Sequence, residues 1–184
     1  METVSWRTDR IAQILPQEFF NLVDRNREHI RKTFPITAFA NSDLEKTEQF
    51  LTQALETEQK EEGYYFYLRS PLTTKLIGYV VVKNISVRTS KCELAYFIDM
   101  DYEGKGITTK AVANAVDFCF TEIGMNKVFI CTSPVNKGSQ RIAEKNGFVK
   151  EGILRQEFRN GYGEFEDIIY FGLLKSDHYN TNER

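Results

Sequence analysis

The sequence predicts an α/β fold: a mixed central sheet of about seven strands flanked by helices. Two observations carry this. A strand–loop–helix order occurs twice in succession, first through residues 92–98, Gly104-Lys105-Gly106 and Ala111, then through residues 128–133, Asn136 and Ser139. Consecutive units of this kind form a parallel pair whose strand ends open on one side of the sheet, where ligands tend to sit. Around this pair lie antiparallel signals, a long hairpin before it and two closing strands after it.

The elements follow in order. A first strand is expected at about 4–10. Residues 16–34 read as one or two helices, with Phe19, Phe20, Val23, His29 and Ile30 supplying the apolar stripe. Ser42-Asp43-Leu44-Glu45 has the form of a capping box. The helix it opens carries Leu44, Phe50, Leu51 and Leu55 and stops near Gly63. Residues 64–69 form a strand, 71–74 a turn, 76–87 a longer strand and 91–98 its hairpin partner. Ala111, Val112, Ala115, Val116, Cys119 and Phe120 recur at helical spacing. Residues 128–133 are a short β-branched and aromatic strand. The next helix begins at the N-cap Asn136 and ends at Gly147. Residues 149–158 and 164–174 pair as closing strands, with Asn160-Gly161 as the turn. The last ten residues are polar and expected to fray.

Length and composition fit one domain over 1–184, with its core at about 4–175. Hydrophobic residues make up 41% and charged residues 27%, an ordinary globular balance. The net charge of −2 gives no broad basic surface, so nucleic acid is not the expected ligand. No apolar run is long enough to span a membrane, and residues 1–7 lack a signal-peptide profile. Cys92, Cys119 and Cys131 are odd in number and lie in apolar contexts. They read as buried free thiols in a reducing compartment, which points to the cytoplasm. His29 and His178 are the only histidines, and no Cys/His cluster has metal-ligand spacing, so no metal is expected.

Chemistry concentrates in the two loops. Gly104 and Gly106 free the backbone to take positive φ and leave it unshielded. Their N–H groups can converge with those of the first helical turn on a phosphate or pyrophosphate. A plain tight connection has the same appearance. The dinucleotide fingerprint fails because its third glycine would fall at Thr109, and the Gly-Lys-Ser/Thr phosphate loop is absent. Taken alone, Asn136 and Ser139 read as plain helix-capping residues.

Taken together, the two loops resemble the Gcn5-related N-acetyltransferase (GNAT) family. The family's acetyl-coenzyme A loop, Gln/Arg-x-x-Gly-x-Gly/Ala, matches from Asp101 to Gly106 except at its first position. Its next signature matches at Asn136, Ser139, Asn146-Gly147-Phe148 and Lys150-Glu151-Gly152. Residues 96–99, 104–109 and the tail Glu157-Phe158-Arg159-Asn160-Gly161 are most similar to the ribosomal-protein serine/alanine N-terminal acetyltransferases. The resemblance covers most of the chain and implies the single-domain acyl-CoA N-acyltransferase fold.

It also implies a chemistry. Acetyl-CoA would bind where a bulge widens the gap between the fourth and fifth strands. A backbone N–H among Ile98, Asp99 and Met100 would meet the oxyanion. The N–H groups of Glu103, Gly104, Lys105, Gly106, Ile107 and Thr108 would hold the pyrophosphate, and Asn136 the pantetheine arm. Glu157 is implied as the base, with Glu151, Glu164 and Glu166 as rivals, and Ser139 would protonate the leaving thiolate. The implied acceptor is the N-terminal α-amine of a ribosomal or similar protein. A small amine (an amino acid, a polyamine or an antibiotic) and a non-catalytic acyl-CoA-binding module are the alternatives. Substrate choice would depend on residues 34–41 and the Asn160-Gly161 hairpin. Relatives of this kind are often dimers or larger.

Overall fold

A computed structural model describes residues 5–182. One seven-stranded sheet runs in the order β1-β2-β3-β4-β5-β7-β6. Its strands are β1 (Arg7–Arg10), β2 (Tyr64–Arg69), β3 (Leu76–Ser86), β4 (Lys91–Ile98), β5 (Lys127–Thr132), β6 (Val149–Arg159) and β7 (Phe165–Leu174). Only β4 and β5 are parallel neighbours; the other five contacts are antiparallel. Val4, in the expected first strand, lies outside the described residues.

Helices α1 (Pro16–Arg25), α2 (Arg27–Arg31), α3 (Pro35–Ala40) and α4 (Leu44–Gln59) connect β1 to β2. They cover one sheet face, where Phe19, Leu22, Val23, Ile30, Tyr67, Tyr79 and Phe97 share a core. The stripe Phe19, Leu22, Val23, Ile30 has helical spacing, and each such side chain contributes about 1.5–3 kcal/mol on burial. Leu22 belongs to this stripe, whereas Phe20, expected in it, is only half-buried. Asn26 divides α1 from α2, its φ of −109° and ψ of 6° breaking the helical path. Helix α3 was not expected as an element; Pro35 starts it at a position that needs no N–H. The cap of α4 is Asp43 rather than Ser42, because the Asp43 carboxylate accepts the Lys46 N–H at 2.8 Å.

Helices α5 (Ile107–Thr121) and α6 (Lys137–Lys145) cover the opposite face. Their core takes Cys92, Leu94, Tyr96 and Ile98 from β4 and Val128 and Ile130 from β5. Alternation along each strand therefore sends Phe97 and Cys131 to the α1–α4 side. Cys92 and Cys119 are buried free thiols, but Cys131 is only half-buried, because that side of β5 lies beyond the helical cover.

Three further differences have local causes. The tail forms helix α7 (Lys175–Asn182) instead of fraying. His178 Nε2 lies 2.7 Å from Asp117 Oδ1, and its ring lies 5.3 Å from Phe120. The β6–β7 connection is a wider loop, with Asn160 and Glu164 closing it and the positive φ at Gly163. Gly161 is small for another reason: a Cβ there would come 2.2 Å from the Arg31 carbonyl oxygen. Finally, β4 keeps an unbroken register with β3 from Glu93 to Ile98, so no bulge widens its end.

The β4–β5 gap opens by divergence instead. The strands pair only at Lys91↔Lys127, Cys92↔Val128 and Glu93↔Phe129. Beyond that point β4 stays with β3 and β5 stays with β7. Among the described residues, no helix is long and apolar enough to cross a membrane.

Candidate active site

The diverging ends of β4 and β5 define a wedge. Residue parity decides which backbone groups face it. The Asp99 N–H donates to Ile77 O on β3 at 2.7 Å, so alternation turns the Ile98 N–H the other way, toward β5. The Met100 N–H is taken by Asn26 Oδ1 at 3.0 Å. Of the three expected oxyanion donors, Ile98 is thus the one aimed into the gap. The Asp99 carboxylate is structural: it is buried, accepts from Arg25 Nε at 2.5 Å and caps the Asp101 N–H at 3.2 Å.

A short turn (Met100–Tyr102) leads from β4 into the glycine loop. Gly104 and Gly106 have φ of +70° and +76°, the left-handed region that favours glycine. A Cβ at either position would meet nothing within 4 Å, so the backbone here is bare to an approaching group. Gly106 is the N-cap of α5 and brings no capping side chain. The N–H groups of the first turn, at Ile107 and Thr108, are therefore left to an outside acceptor, and the helix dipole favours an anion there. The Ile107 and Thr108 side chains are buried beneath the loop, so their contribution is through backbone. Lys105 folds back, its Nζ 2.6 Å from Asp101 O and 4.8 Å from the Tyr102 ring centre. The Glu103 side chain turns to His29, Oε1 to Nε2 2.8 Å, and its N–H reaches Met100 O.

Opposite this loop, Asn136 Oδ1 caps α6 by accepting the Ser139 N–H at 3.0 Å. Only the Nδ2 of Asn136 is left to meet a ligand. A Schellman ending at Gly147 (φ +80°), with Phe148 N–H on Ala143 O at 3.1 Å, fixes the other end of the helix. Ser139 is half-exposed, and its Oγ lies 3.0 Å from the Tyr96 hydroxyl. Burial raises the Tyr96 pKa to about 12, against the opposing pull of the Ser139 bond.

Glu157 is set by an irregularity that the sequence reading missed. Leu154 pairs with Ile168 and Phe158 with Glu166, so Arg155, Gln156 and Glu157 together oppose Asp167. Gln156 takes φ +52°, and its N–H donates to Asp167 Oδ1 at 3.0 Å. Such bulges redirect side chains. Glu157 is exposed, and its charge reaches Cys131 on β5: burial first, then Glu93 and Glu157 among the nearby charges, push that thiol up to about 12. Glu157 thus lies within electrostatic reach of β5, while Ser139 meets Tyr96 of β4.

The three rival carboxylates are occupied. Glu151 pairs with Lys127 at 2.5 Å. Glu164 and Glu166 both accept from Asn160 Nδ2, at 3.0 and 2.7 Å. Glu166 also meets Lys32 Nζ at 3.0 Å. Burial opposes its ionisation, but bonds from Asn160, Ser133 and Lys32 outweigh this and hold its pKa below the usual value. No hydrogen bond or ion pair engages Glu157 among the described residues.

Residues 31–34 form a strap across this side. Phe34 packs on Phe97 of β4 (5.8 Å), Lys32 reaches Glu166 of β7, and Arg31 lies over the Tyr162 ring at 4.9 Å. Since β5 lies between β4 and β7, the strap crosses over the end of β5. The sequence reading missed the strap and Tyr96. A signal for Tyr96 existed: it shares strand parity with Leu94 and Ile98. Among the described residues, no group of three or more His, Cys, Asp or Glu could hold a metal ion.

A wedge between parallel strands, a glycine loop at a helix start and a capped serine opposite fit the acyl-coenzyme A-dependent transferase that the resemblance implies. Residues 16–149 match the family described as acetyltransferase (GNAT) domain, and the chain belongs to that family. It is similar to the probable N-acetyltransferase YjcK of Bacillus subtilis (strain 168), 32% identical over 162 residues, which cover 88% of this chain and 89% of that one. The spermidine N(1)-acetyltransferase of Vibrio cholerae is 29% identical over 108 residues, 59% of this chain and 62% of that one. Among solved structures, the ribosomal-protein-S5-alanine acetyltransferase from Vibrio fischeri superposes with a TM-score of 0.85 at 26% identity, covering 96% of both chains. The protein is an N-acetyltransferase with acetyl-CoA as co-substrate.

Proposed function

We propose that the chain acetylates the N-terminal α-amine of a ribosomal or similar protein, by direct transfer within a ternary complex. The observation that carries the choice of acceptor is the state of the acidic groups. A polyamine needs free carboxylates for its second and third ammonium groups. Here Glu151, Glu164 and Glu166 are spent on Lys127, Asn160 and Lys32. Glu157 alone among them is unengaged, which suits an acceptor with one reacting amine. Likeness to the S5-alanine enzyme over nearly the whole chain supports the same reading.

The N–H groups of the Gly104–Gly106 loop and the start of α5 would hold the pyrophosphate, and Asn136 and the gap between β4 and β5 would receive the pantetheine arm. The Ile98 N–H polarises the thioester carbonyl and meets the oxyanion as it forms. An α-amine has a pKa of roughly 8, so part of it is already neutral, and Glu157, directly or through a water, takes the remaining proton. The amine nitrogen attacks the carbonyl carbon; the C–S bond then breaks, and its electron pair leaves on sulfur. Ser139 donates its hydrogen to that sulfur and regains one, through solvent, from the nitrogen, which sheds a proton as the amide forms.

One comparison tests the acceptor: purified ribosomal proteins and spermidine, each incubated with enzyme and acetyl-CoA and read by intact mass. Addition of one acetyl group at a single amino terminus is the expected result. Acetylation of spermidine alone would transfer the chemistry to a small amine. The singly domained extent over 1–184, a cytoplasmic location and a dimeric or larger assembly belong to the same reading.

A further inference from the structure

We infer that Tyr96 is a positioning residue for acetyl transfer, its hydroxyl holding the Ser139 hydroxyl so that the serine proton points into the β4–β5 wedge. This rests on the proposed role of Ser139.

Tyr96 reaches from β4 to the first turn of α6, where its hydroxyl has two partners on one residue. It lies 3.0 Å from Ser139 Oγ and donates to the Ser139 carbonyl at 3.3 Å. No other hydrogen bond is made by this hydroxyl among the described residues. A serine hydroxyl has one proton and two lone pairs. On a helix its default is to donate that proton to a backbone carbonyl of the preceding turn, where it is useless to a departing sulfur. A phenol donating to Oγ removes that option, because Oγ is then anchored as an acceptor and its proton is left for the wedge.

The paired acceptors make this arrangement responsive. At rest the phenol proton is shared between Oγ and the carbonyl; as negative charge grows on sulfur, the Ser139 proton is drawn toward it and the phenol proton shifts wholly to Oγ. No heavy atom has to move, which keeps the reorganisation cost low. The hydroxyl stays protonated throughout the working pH range, since burial raises its pKa to about 12. The ring itself is core, only 8% exposed among the α5–α6 contacts, so phenylalanine preserves the packing and removes the bond alone.

The test compares Tyr96→Phe, Ser139→Ala and the double variant, measuring kcat and KM by thiol release, the Kd of coenzyme A by calorimetry, and the thermal midpoint. Ser139→Ala is expected to lose on the order of 100-fold in kcat, the lower range for an acid group. Tyr96→Phe should lose about tenfold in kcat, worth about 1.4 kcal/mol, with both KM values and the coenzyme A Kd within about twofold. The double variant should be no slower than Ser139→Ala, because the two act as one unit. Full turnover by Tyr96→Phe beside an impaired Ser139→Ala overturns the inference and leaves the serine role standing. So do losses that multiply in the double variant, or a Tyr96→Phe loss that tracks a weakened coenzyme A Kd or a lowered midpoint. Full turnover by Ser139→Ala removes the serine role and this inference with it.

Discussion

Asn26 Oδ1 accepts the backbone N–H of Met100 at 3.0 Å, joining the break between α1 and α2 to the turn that begins the glycine loop. Two neighbours repeat the connection, Arg25 to Asp99 and His29 to Glu103. The N-terminal segment is therefore fastened to the turn before the glycine loop as well as, through Lys32, to β7. Asn26 is 1% exposed and also donates to Leu22 O. Asn26→Ala leaves a buried amide and carbonyl unmet and should cost about 1–3 kcal/mol of stability. Coenzyme A affinity should fall with it, read by denaturant unfolding and calorimetry on the same sample.

Gly106→Ala separates conformation from space. No atom obstructs a Cβ there, so the folding penalty is the left-handed φ alone, about 1–2 kcal/mol. A methyl group on the face proposed for the pyrophosphate adds a second cost, seen only in binding. The expected outcome is a coenzyme A Kd raised by more than about tenfold, with a modest loss of thermal stability. Equal affinity would remove this loop from the cofactor site.

The strap makes a kinetic prediction. Lys32→Ala removes the ion pair to Glu166 and unties the segment from β7, while Glu166 keeps its bond from Asn160. The acceptor KM should change about three- to tenfold while the coenzyme A Kd stays constant, because among the described residues no strap contact touches the glycine loop. A change in cofactor affinity alone would contradict the placement of the strap over the acceptor side.

Acid should destabilise the fold through Glu18 and Glu166. Hydrogen bonds from Arg69 dominate the lowered pKa of Glu18; at Glu166 the bonds from Asn160, Ser133 and Lys32 outweigh burial. For a depressed carboxylate the stabilisation is complete above the ordinary value of 4.5 and is lost as pH falls through the lower folded value. Unfolding midpoints should be level above that pH and decline below it. Glu18→Gln should be less stable near neutral pH and should decline less steeply in acid.

Much of the fold was legible because it rests on local chemistry. Strand β4 and the loop glycines follow from hydrophobic runs and the demand for positive φ, and α6 follows from its Asn136 and Gly147 ends. What escaped was set by tertiary contact. The bulge at Gln156 arises from an Asp167 side chain eleven residues away. Gly161 looked like a turn residue, but the Arg31 carbonyl dictates its size. Helix α7 has little apolar periodicity and is held by Asp117 and Phe120. The widening of the wedge was expected from a bulge, yet it comes from each strand following its other neighbour. Ser139 and Glu157 could be named from the resemblance; Tyr96 required the distance between β4 and α6.

Base-assisted transfer with Glu157 as the base is decided by the pH–rate profile of Glu157→Gln with a peptide acceptor. The expected result is a kcat/KM reduced by about 100-fold or more near neutral pH. The deficit should narrow as pH rises past the acceptor's own pKa, where the amine no longer needs a base. Full turnover across the whole pH range would contradict it.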